Sequence, residues 1–441
     1  MSASADTIYA LSSGALPAGV AIIRISGPKA FEALGILTGR ALPAPRQVTL
    51  SSIRDRNEDI IDQALTVVFP APNSFTGEDC VEIHSHGSRA VMASIFSELE
   101  NHRGLRPADA GEFSRRAFEN GKMDLLEIEG LADLLQAETE MQRRLAVEQS
   151  TGKLSALYDG WANRLTRARA LIEAELDFAD EDDIPDSVAS QVWHSVSELR
   201  DEIAVHLRSG GNSEIIRDGF KVALVGEPNA GKSTLLNALS GRDVAIVTDI
   251  AGTTRDVLSV DINLDGYLVR IFDTAGIRDT QDVVEQEGVR RAVLTAETAD
   301  LILLLRDNDS IPKQSLTSFA NQRLLQVRTK SVLSPAAEAS FDLSISAGEG
   351  LGLDELRVAI KREIEKRVGV GQTLVPARAR HKKRLEETLN YVSDALHSEA
   401  TDLAIRSEYL RLAATSLGRI TGRVDVEDLL GVIFSEFCIG K

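Results

Sequence analysis

The stretch Gly226-Glu-Pro-Asn-Ala-Gly-Lys-Ser-Thr234 decides the fold of this chain. It follows a short apolar run, residues 222–225, which predicts a buried strand, and it opens a predicted helix. A glycine-rich loop in this position lets backbone N–H groups surround a phosphate, and the helix N-terminus favours the negative charge. We expect Lys232 to neutralise phosphate oxygens and Ser233 to bind Mg²⁺. The alternative, a purely structural glycine turn, is disfavoured by this context.

Two later segments extend the predicted phosphate site. Thr254, in Gly252-Thr-Thr-Arg255, is a switch threonine for Mg²⁺ and the γ-phosphate. Asp273-Thr-Ala-Gly276 ends a predicted strand, and it supplies a carboxylate behind Mg²⁺ and a Gly276 amide that senses the γ-phosphate. Three such elements in this order predict a nucleotide switch.

The residue that orients the attacking water is not evident from the motifs. Ile277 stands where Ras-type enzymes carry a glutamine for this role. Another side chain must therefore position the water. The nearby polar candidates are Arg278, Asp279, Asp282 and Glu285.

The rest of the chain changes its periodicity three times. Short β-rich runs between Thr7 and Lys122, at residues 20–25, 64–69 and 80–84, predict an α+β domain, and Asp124 followed by Glu127 predicts a helix start. An apolar stripe at three- and four-residue steps from Leu154 to Leu176 predicts a helix-bundle core. From about Phe220, strand candidates at 222–225, 268–272, 301–305 and 324–328 alternate with helices, as in a parallel sheet covered on both faces, and the chain is helical again after about Gly369. We predict an α/β and all-α multidomain protein: an α+β N-terminal domain (1–121), a helical domain (122–217 and 369–441) and an inserted Ras-like P-loop G domain (218–368).

Composition limits the partners and the compartment. The 441 residues carry a net charge of −18, which repels nucleic acid at long range. Two cysteines do not form a disulfide framework, and no apolar run is long enough for a membrane span, so we expect a soluble, cytoplasmic protein. The basic cluster between Arg378 and Arg384 is either a local RNA footprint or a solvated helix face.

The residues together resemble the MnmE (TrmE) family of tRNA-modifying GTPases. The resemblance spans nearly the whole chain, which makes it specific. Besides the loop at 226–234, it rests on Ser74-Phe-Thr-Gly-Glu-Asp79, Gly111-Glu-Phe-Ser-Arg-Arg-Ala-Phe118, Ala245-Ile-Val-Thr-Asp-Ile-Ala-Gly-Thr-Thr-Arg-Asp256, Asp273-Thr-Ala-Gly-Ile-Arg-Asp279 and Phe437-Cys-Ile-Gly-Lys441.

The resemblance implies a K⁺-stimulated, dimerisation-activated GTPase that acts on tRNA. The family's homodimer joins through N-terminal domains that bind a 5-formyltetrahydrofolate-type one-carbon donor. Its partner is MnmG (GidA), which uses FAD and NADH, in a heterotetramer. Together they add an aminomethyl or carboxymethylaminomethyl group to C5 of the wobble uridine (position 34) of certain tRNAs.

The resemblance also implies the site residues. The folate contacts are Arg24, Glu82, Lys122 and Lys441, which composition alone would assign to ordinary strand and surface charges. Glu285 is the proposed water-orienting residue, Arg278 is a switch arginine, and Cys438 is a candidate nucleophile for which a packed cysteine is the favoured alternative. The K⁺ ligands are Asn229, Thr248, Ile250 and Thr253. Nucleotide contacts are Asn229, Ala230, Gly231, Lys232, Ser233, Thr234, Thr248, Thr254, Asp273, Gly276, Thr329, Lys330, Ser346 and Ala347.

Three segments depart from the family pattern. The glycine-rich opening before Arg24 is here Ser12-Ser-Gly-Ala-Leu-Pro-Ala-Gly-Val20, and the Arg-Pro-Gly-Glu-Phe run is Asp109-Ala-Gly-Glu-Phe113. The guanine-reading Asn-Lys-x-Asp motif aligns with residues 329–332, where Val332 replaces the aspartate. We therefore expect weaker guanine selectivity.

Two other functions compete with tRNA modification. A ribosome-assembly or general RNA-binding GTPase shares the loop at 226–234, but the folate-type motifs and the acidic charge argue against it. A regulatory nucleotide-binding protein with weak turnover is compatible with Val332.

Overall fold

The computed structural model describes residues 6–177, 187–209, 213–226, 229–242, 259–273, 297–306, 323–330, 341–368, 375–397, 402–424, 433 and 440. The chain divides into two compact units. The first contains residues up to Ala132 and from Gly418 onward, and the second is Asp133–Leu417.

The first unit contains a six-stranded sheet. Its strands are β1 (Thr7–Leu11), β2 (Ala18–Ser26), β3 (Thr49–Arg54), β4 (Ile60–Phe69), β5 (Cys80–Gly87) and β6 (Leu105–Pro107). They lie in the order β3-β4-β5-β2-β1-β6. Neighbouring strands are antiparallel, except that β1 and β6 are parallel. The predicted strand runs at 20–25, 64–69 and 80–84 lie within β2, β4 and β5. The helices of this unit are α1 (Ala30–Thr38), α2 (Arg89–Glu100) and α3 (Glu112–Glu119). Helix α4 (Leu125–Gln136) begins in this unit.

One face of this sheet is buried by helices, and the opposite face carries polar groups. Ile23 and Ile25 of β2 and Ile83 of β5 are fully buried in a core that also contains Leu34 of α1 and Ile95 of α2. Because successive side chains in a strand point to opposite faces, the residues between them lie on the other face. Arg24 and Glu82 therefore share that second face.

The predicted helix start at Asp124 is confirmed by reciprocal hydrogen bonds. The backbone N–H of Asp124 donates to Glu127 Oε2 at 2.8 Å, and the N–H of Glu127 donates to Asp124 Oδ1 at 2.9 Å. Each side chain thus satisfies a backbone donor that has no partner within the helix.

The helical part of the second unit lies on both sides of the P-loop in sequence. Arg406 places its guanidinium 3.4 Å from the centroid of the Trp193 ring, so helices from before and after the G domain pack together. Helix α6 (Lys153–Asp177) contains the predicted apolar stripe from Leu154 to Leu176. Most of this stripe is buried, although Leu176 at its end is exposed. These helices are α5 (Glu140–Ser150), α6 (Lys153–Asp177), α7 (Ser187–Ser209), α8 (Ser213–Asp218), α11 (Ala379–His397) and α12 (Leu403–Thr421), which ends beyond this unit.

The G-domain sheet is formed by residues that lie between α8 and α11 in sequence. Its strands are β7 (Phe220–Gly226), β8 (Ser259–Leu264), β9 (Tyr267–Asp273), β10 (Leu301–Arg306), β11 (Leu324–Arg328) and β12 (Leu343–Ser344). They lie in the order β12-β11-β10-β7-β9-β8. Neighbouring strands are parallel, but β8 is antiparallel to β9. Sequence patterns predicted β7, β9, β10 and β11 as parallel strands and missed β8. The helices of the G domain are α9 (Lys232–Arg242) and α10 (Leu353–Val368).

The strand order determines where a ligand can bind. Strands β8 and β9, which follow β7 along the chain, lie on one side of β7 in the sheet. Strands β11 and β12, which follow β10, lie on the opposite side of the sheet. Such a reversal opens a crevice at the carboxyl ends of the two central strands, which is where open α/β sheets bind ligands. The loop that follows β7 lies at this crevice.

Candidate functional site

The phosphate-binding loop joins β7 to α9 and requires glycine at Gly226. A Cβ on Gly226 would lie 2.5 Å from the carbonyl oxygen of Leu305 in β10, so a side chain would push the central strands apart. Asn229 and Gly231 have positive φ angles of 65° and 92°, which turn backbone groups inward. These local constraints explain why the loop adopts this shape.

Lys232 lies at the first position of α9, inside the loop. Its side chain is largely buried, with a relative exposure of 8%. The ammonium group donates to the carbonyl oxygen of Gly226 at 2.8 Å. Burial lowers the pKa of Lys232, and the nearby Asp273 carboxylate acts in the opposite direction. The result is a cation held where the loop would receive phosphate.

Ser233 and Asp273 form the second part of this site. Ser233 Oγ donates to Asp273 Oδ2 at 3.3 Å, which joins the start of α9 to the end of β9. Asp273 Oδ1 is buried and has no hydrogen-bond partner among the residues that the structure describes. A hydroxyl next to a carboxylate with a free acceptor oxygen fits the hard oxygen ligands that Mg²⁺ prefers. These two side chains therefore match a magnesium site.

The predicted base-contact residues lie at the same edge of the sheet. The backbone N–H of Thr329 donates to the carbonyl oxygen of Arg306 at 2.7 Å. A Cβ on Gly231 would lie 3.8 Å from Thr329 Cγ2, so this threonine borders the phosphate loop. Ser346 exchanges backbone hydrogen bonds of 3.0 and 3.1 Å with Leu351, which closes the turn that contains Ala347. Lys330 is exposed, with a φ of 58°.

The remaining predicted nucleotide residues follow the same loop. Ala230 is buried in the G-domain core, and Thr234 is exposed on α9. The other predicted site residues lie outside the described part of the chain: Thr248, Ile250, Thr253, Thr254, Gly276, Arg278, Glu285, Cys438 and Lys441. Val332, which aligns with the guanine-reading aspartate, is also outside it.

A second site lies on the polar face of the first unit's sheet. Arg24 and Glu82 are paired neighbours in β2 and β5, and Arg24 Nη2 donates to Glu82 Oε1 at 3.0 Å. The guanidinium of Arg24 also lies 4.8 Å from the centroid of the Phe75 ring. His84 Nε2 lies 3.3 Å from Glu82 Oε2, so both carboxylate oxygens have a polar neighbour.

Arg24, Glu82 and Phe75 line a cavity of about 390 Å³. It brings together three of the four predicted folate contacts, Arg24, Glu82 and Lys122. A Cβ on Gly77 would lie 3.1 Å from Lys122 Cγ, so this glycine makes room for the lysine side chain. The sequence reasoning missed other residues that line the cavity, among them Arg46, Phe69 and Phe75.

Gly440, the residue before Lys441, lies next to the end of β1. Ser12 Oγ donates to the carbonyl oxygen of Gly440 at 2.6 Å. Gly440 has a φ of 103° and leaves no room for a Cβ against the backbone of Leu11. Leu11 follows Ala10, which pairs with Arg24 across the sheet. Gly440 thus contacts the sheet beside Ala10, the strand neighbour of Arg24.

The basic cluster on α11 is engaged within the protein. Arg378 Nη2 lies 2.7 Å from Asp133 Oδ1, and Lys382 Nζ lies 3.3 Å from Glu214 Oε2. His381 is completely buried. Arg378, His381 and Lys382 therefore have contacts within the protein, whereas Lys383 is exposed.

Two family models match the chain. The model described as the MnmE helical domain matches residues 125–438. The model described as the GTP-binding protein TrmE N-terminus matches residues 7–122. The chain belongs to the MnmE family of tRNA modification GTPases.

Curated MnmE relatives match over the full length. The tRNA modification GTPase MnmE of Agrobacterium fabrum is 85% identical over 439 residues, 99% of each chain. That of Rhizobium etli is 57% identical over 438 residues, again 99% of each chain. Among solved structures, Aquifex aeolicus Era bound to GDP·AlF₄⁻ is 28% identical and covers 38% of this chain and 66% of its own, with a TM-score of 0.27. A score this low carries no conclusion, and the GTPase assignment rests on the MnmE matches and the phosphate loop.

Membership in the MnmE family shows that the chain is an enzyme that binds GTP and GDP and hydrolyses GTP. The predicted fold class is also confirmed, because the chain contains the N-terminal domain, the helical domain and the Ras-like P-loop domain of the family. No helix in the described ranges has the length and apolar character needed to cross a bilayer.

Proposed function

We propose that this MnmE-family GTPase couples GTP hydrolysis to the modification of C5 of the wobble uridine (position 34) of certain tRNAs. The product would carry an aminomethyl or carboxymethylaminomethyl group, with a 5-formyltetrahydrofolate-type donor as the source of one carbon. The observation that carries the proposal is the presence of two separate sites in one chain. One is the phosphate loop with Ser233 and Asp273, and the other is the cavity around Arg24 and Glu82.

At the nucleotide site, each side chain has a distinct proposed task. Lys232 neutralises charge on the β- and γ-phosphates, since its ammonium already points into the loop. Ser233 and Thr254 would bind Mg²⁺, with Asp273 behind them; when bound, the ion would neutralise charge that develops on the phosphates. Glu285 is proposed to orient the attacking water, and Arg278 to act in the same switch segment.

We predict that hydrolysis requires K⁺. The enzyme lacks a glutamine at Ile277, and Asn229 lies in the phosphate loop with a left-handed backbone, at a φ of 65°. Together with Thr248, Ile250 and Thr253, it would hold K⁺ where other GTPases place an arginine finger. Turnover should be about tenfold or more faster in KCl than in NaCl at equal ionic strength.

The variant Asn229→Gly tests the role of the asparagine side chain, because glycine tolerates the positive φ and only the side chain is removed. It should lose most of the K⁺ stimulation and retain GTP affinity. Equal turnover of the wild type in the two salts would contradict the cation mechanism.

We predict weak guanine selectivity because Val332 cannot accept hydrogen bonds. An aspartate there would accept bonds from the N1–H and the exocyclic amine of guanine, and charge-assisted bonds contribute about 1.5–3 kcal/mol each. Val332→Asp should tighten GDP binding, with a smaller gain for IDP, which lacks the exocyclic amine. Titration calorimetry measures both constants. Unchanged affinity and selectivity would show that residues 329–332 do not read the base.

The cavity in the first unit has the chemistry of a folate site. Glu82 can accept N–H donors of the pterin ring, and Lys122 and Lys441 can pair with carboxylates of the ligand. Arg24 holds Glu82 in place through its 3.0 Å hydrogen bond. The aromatic ring of Phe75 offers a flat apolar wall. We therefore assign the one-carbon donor to this cavity.

A homodimer through the N-terminal domains is supported by an exposed apolar face. Leu50 and Leu65 are paired neighbours in β3 and β4 with relative exposures of 59% and 44%, and Val48 beside them is 62% exposed. Leu65 pairs in turn with His84, two residues from Glu82 in β5. Exposed apolar patches of this kind mark protein interfaces. A second copy on this face would lie beside the folate cavity.

The proposed cytoplasmic partner is an MnmG-type flavoprotein that uses FAD and NADH. Such a partner would supply redox chemistry to the joint reaction, and Cys438 is a candidate nucleophile within it. A tagged full-length chain should retain a flavoprotein during purification, detected by its bound FAD and by bleaching with NADH. Absence of flavoprotein binding at low and moderate salt would contradict the partnership.

A further inference from the structure

We propose that Arg46 is an additional folate contact, which together with Lys122 holds the carboxylates of the ligand's glutamate tail. The inference rests on the proposed folate function of this cavity. It assigns a residue that no sequence motif marks, because Arg46 reaches the cavity from the loop between α1 and β3.

The charges in the cavity are unequal. Arg24, Arg46 and Lys122 line it together with a single carboxylate, Glu82. That carboxylate is already paired with Arg24 at 3.0 Å. Neither Arg46 nor Lys122 has an ion-pair partner among the residues that the structure describes. The cavity is therefore suited to a ligand that brings two negative charges.

The position of Arg46 is set by its backbone and by the groups around its side chain. Its N–H donates to the carbonyl oxygen of Val68 at 2.9 Å, and its φ of 62° is rare for a residue with a side chain. Its guanidinium lies 5.5 Å from the centroid of the Phe69 ring and donates through Nη2 to the carbonyl oxygen of Asn73. An arginine held in this way loses little conformational freedom when it binds.

The chemistry of the guanidinium identifies the part of the ligand that it binds. A planar guanidinium has five N–H donors and matches a carboxylate with two parallel hydrogen bonds. The pterin ring of a folate carries no carboxylate, whereas the glutamate tail carries two, at the α- and γ-positions. Arg46 and Lys122, neither of which has an ion-pair partner among the described residues, match these two groups. We thus assign Arg46 to recognition of the tail, and Glu82 to recognition of the pterin.

The test compares two ligands on full-length protein. One is 5-formyltetrahydrofolate, and the other is 6-methyltetrahydropterin, which lacks the tail. Arg46→Ala should weaken folate binding by about 10-fold to 100-fold, as expected for charge-assisted hydrogen bonds, and change binding of the tail-less pterin less than twofold. Arg46→Gln keeps an amide donor for the carbonyl of Asn73 and removes the charge, so it should show the same pattern if the alanine variant misfolds. Arg56→Ala is the matched control, because Arg56 is an exposed arginine of the same unit paired with Glu98.

The outcomes separate this proposal from the function on which it rests. If the wild type binds no folate, both the folate site and the role of Arg46 are wrong. If the wild type binds folate and Arg46→Gln binds it equally well, Arg46 is not a contact, although the folate site stands. If the variants lose folate and the tail-less pterin to the same degree, Arg46 shapes the cavity and does not recognise the tail.

Discussion

Replacing Lys232 with alanine is expected to lower kcat/KM for GTP hydrolysis by about 100-fold or more, the usual effect of removing one preorganised group that stabilises developing charge. Lys232 is 8% exposed, and its ammonium is directed into the phosphate loop by the 2.8 Å bond to Gly226. No other cation is present within the described loop residues 229–234 to replace it. Steady-state kinetics together with nucleotide titration separates the loss of binding from the loss of turnover.

Lys366→Ala is the matched control for Lys232→Ala. Lys366 lies on α10 of the same domain, is mostly exposed and pairs with Glu363 at 2.7 Å. Glu363 retains Arg323 as a partner at 3.0 Å when Lys366 is removed, so the loss of the exposed lysine should cost less than about 1 kcal/mol and activity should stay within twofold of the wild type. If Lys232→Ala retained wild-type turnover, the phosphate site would be misassigned.

Replacing Arg116 with methionine is expected to destabilise the first unit by about 3–5 kcal/mol, the cost of breaking a buried ion pair. The side chain of Arg116 is 3% exposed and contacts three carboxylates: Nη2 lies 2.9 Å from Asp6 Oδ1 and 2.9 Å from Glu112 Oε1, and Nη1 lies 3.1 Å from Glu78 Oε2. Asp6 and Glu112 retain Arg106 as a second cation. Glu78 would have no arginine left among the described residues.

This network also sets the protonation of Glu112. Burial alone would raise its pKa, but hydrogen bonds from Arg106, from the Asp109 backbone and from Arg116 lower it overall. Its stabilising contribution is therefore present above the unfolded-state pKa of the carboxyl group and decreases as the pH falls through the lowered folded-state value.

Hydrogen–deuterium exchange of peptides from residues 6–122, measured across a urea series, reports the stability of this unit within the full chain. Arg115→Met is the matched control, because Arg115 is the adjacent residue, largely exposed and paired with Glu119. It should change the free energy of unfolding by less than about 0.5 kcal/mol. The second substitution Glu78→Gln should recover part of the loss in Arg116→Met, since it removes the unpaired charge. Equal effects of Arg115→Met and Arg116→Met would contradict a buried network.

The parts of the fold and sites that the sequence predicts are those controlled by neighbouring residues. The phosphate loop follows from the apolar β7 strand and from glycine at a position of positive φ, of which Gly231 at 92° is the clearest. The helix start at Asp124 follows from a side chain three residues away, Glu127. In both cases the physical cause lies within about ten residues of sequence or in a repeating pattern.

The parts that escape prediction depend on contacts between distant segments. Arg46 reaches the cavity because of the loop before β3 and the contact with Phe69, and neither leaves a pattern in the sequence. Strand β8 is a different case, because Ser259–Leu264 alternates polar and apolar residues throughout. The turn Asp265-Gly266 that joins it to β9, with φ angles of 50° and 93°, is also a typical hairpin signal, so this strand was missed although local sequence marks it. The ion pairs of Arg378 and Lys382 likewise could not be inferred from their basic neighbours.

The central claim is that GTP hydrolysis at the phosphate loop drives tRNA modification, and one measurement tests it most directly. The chain is incubated with its flavoprotein partner, NADH, the folate donor, tRNA and GTP, and the nucleosides of the tRNA are analysed by mass spectrometry. The account predicts C5-modified wobble uridine with the wild type and GTP, and little or none with Lys232→Ala or with a non-hydrolysable GTP analogue. Equal modification by wild type and Lys232→Ala, or in GDP and GTP, would contradict it.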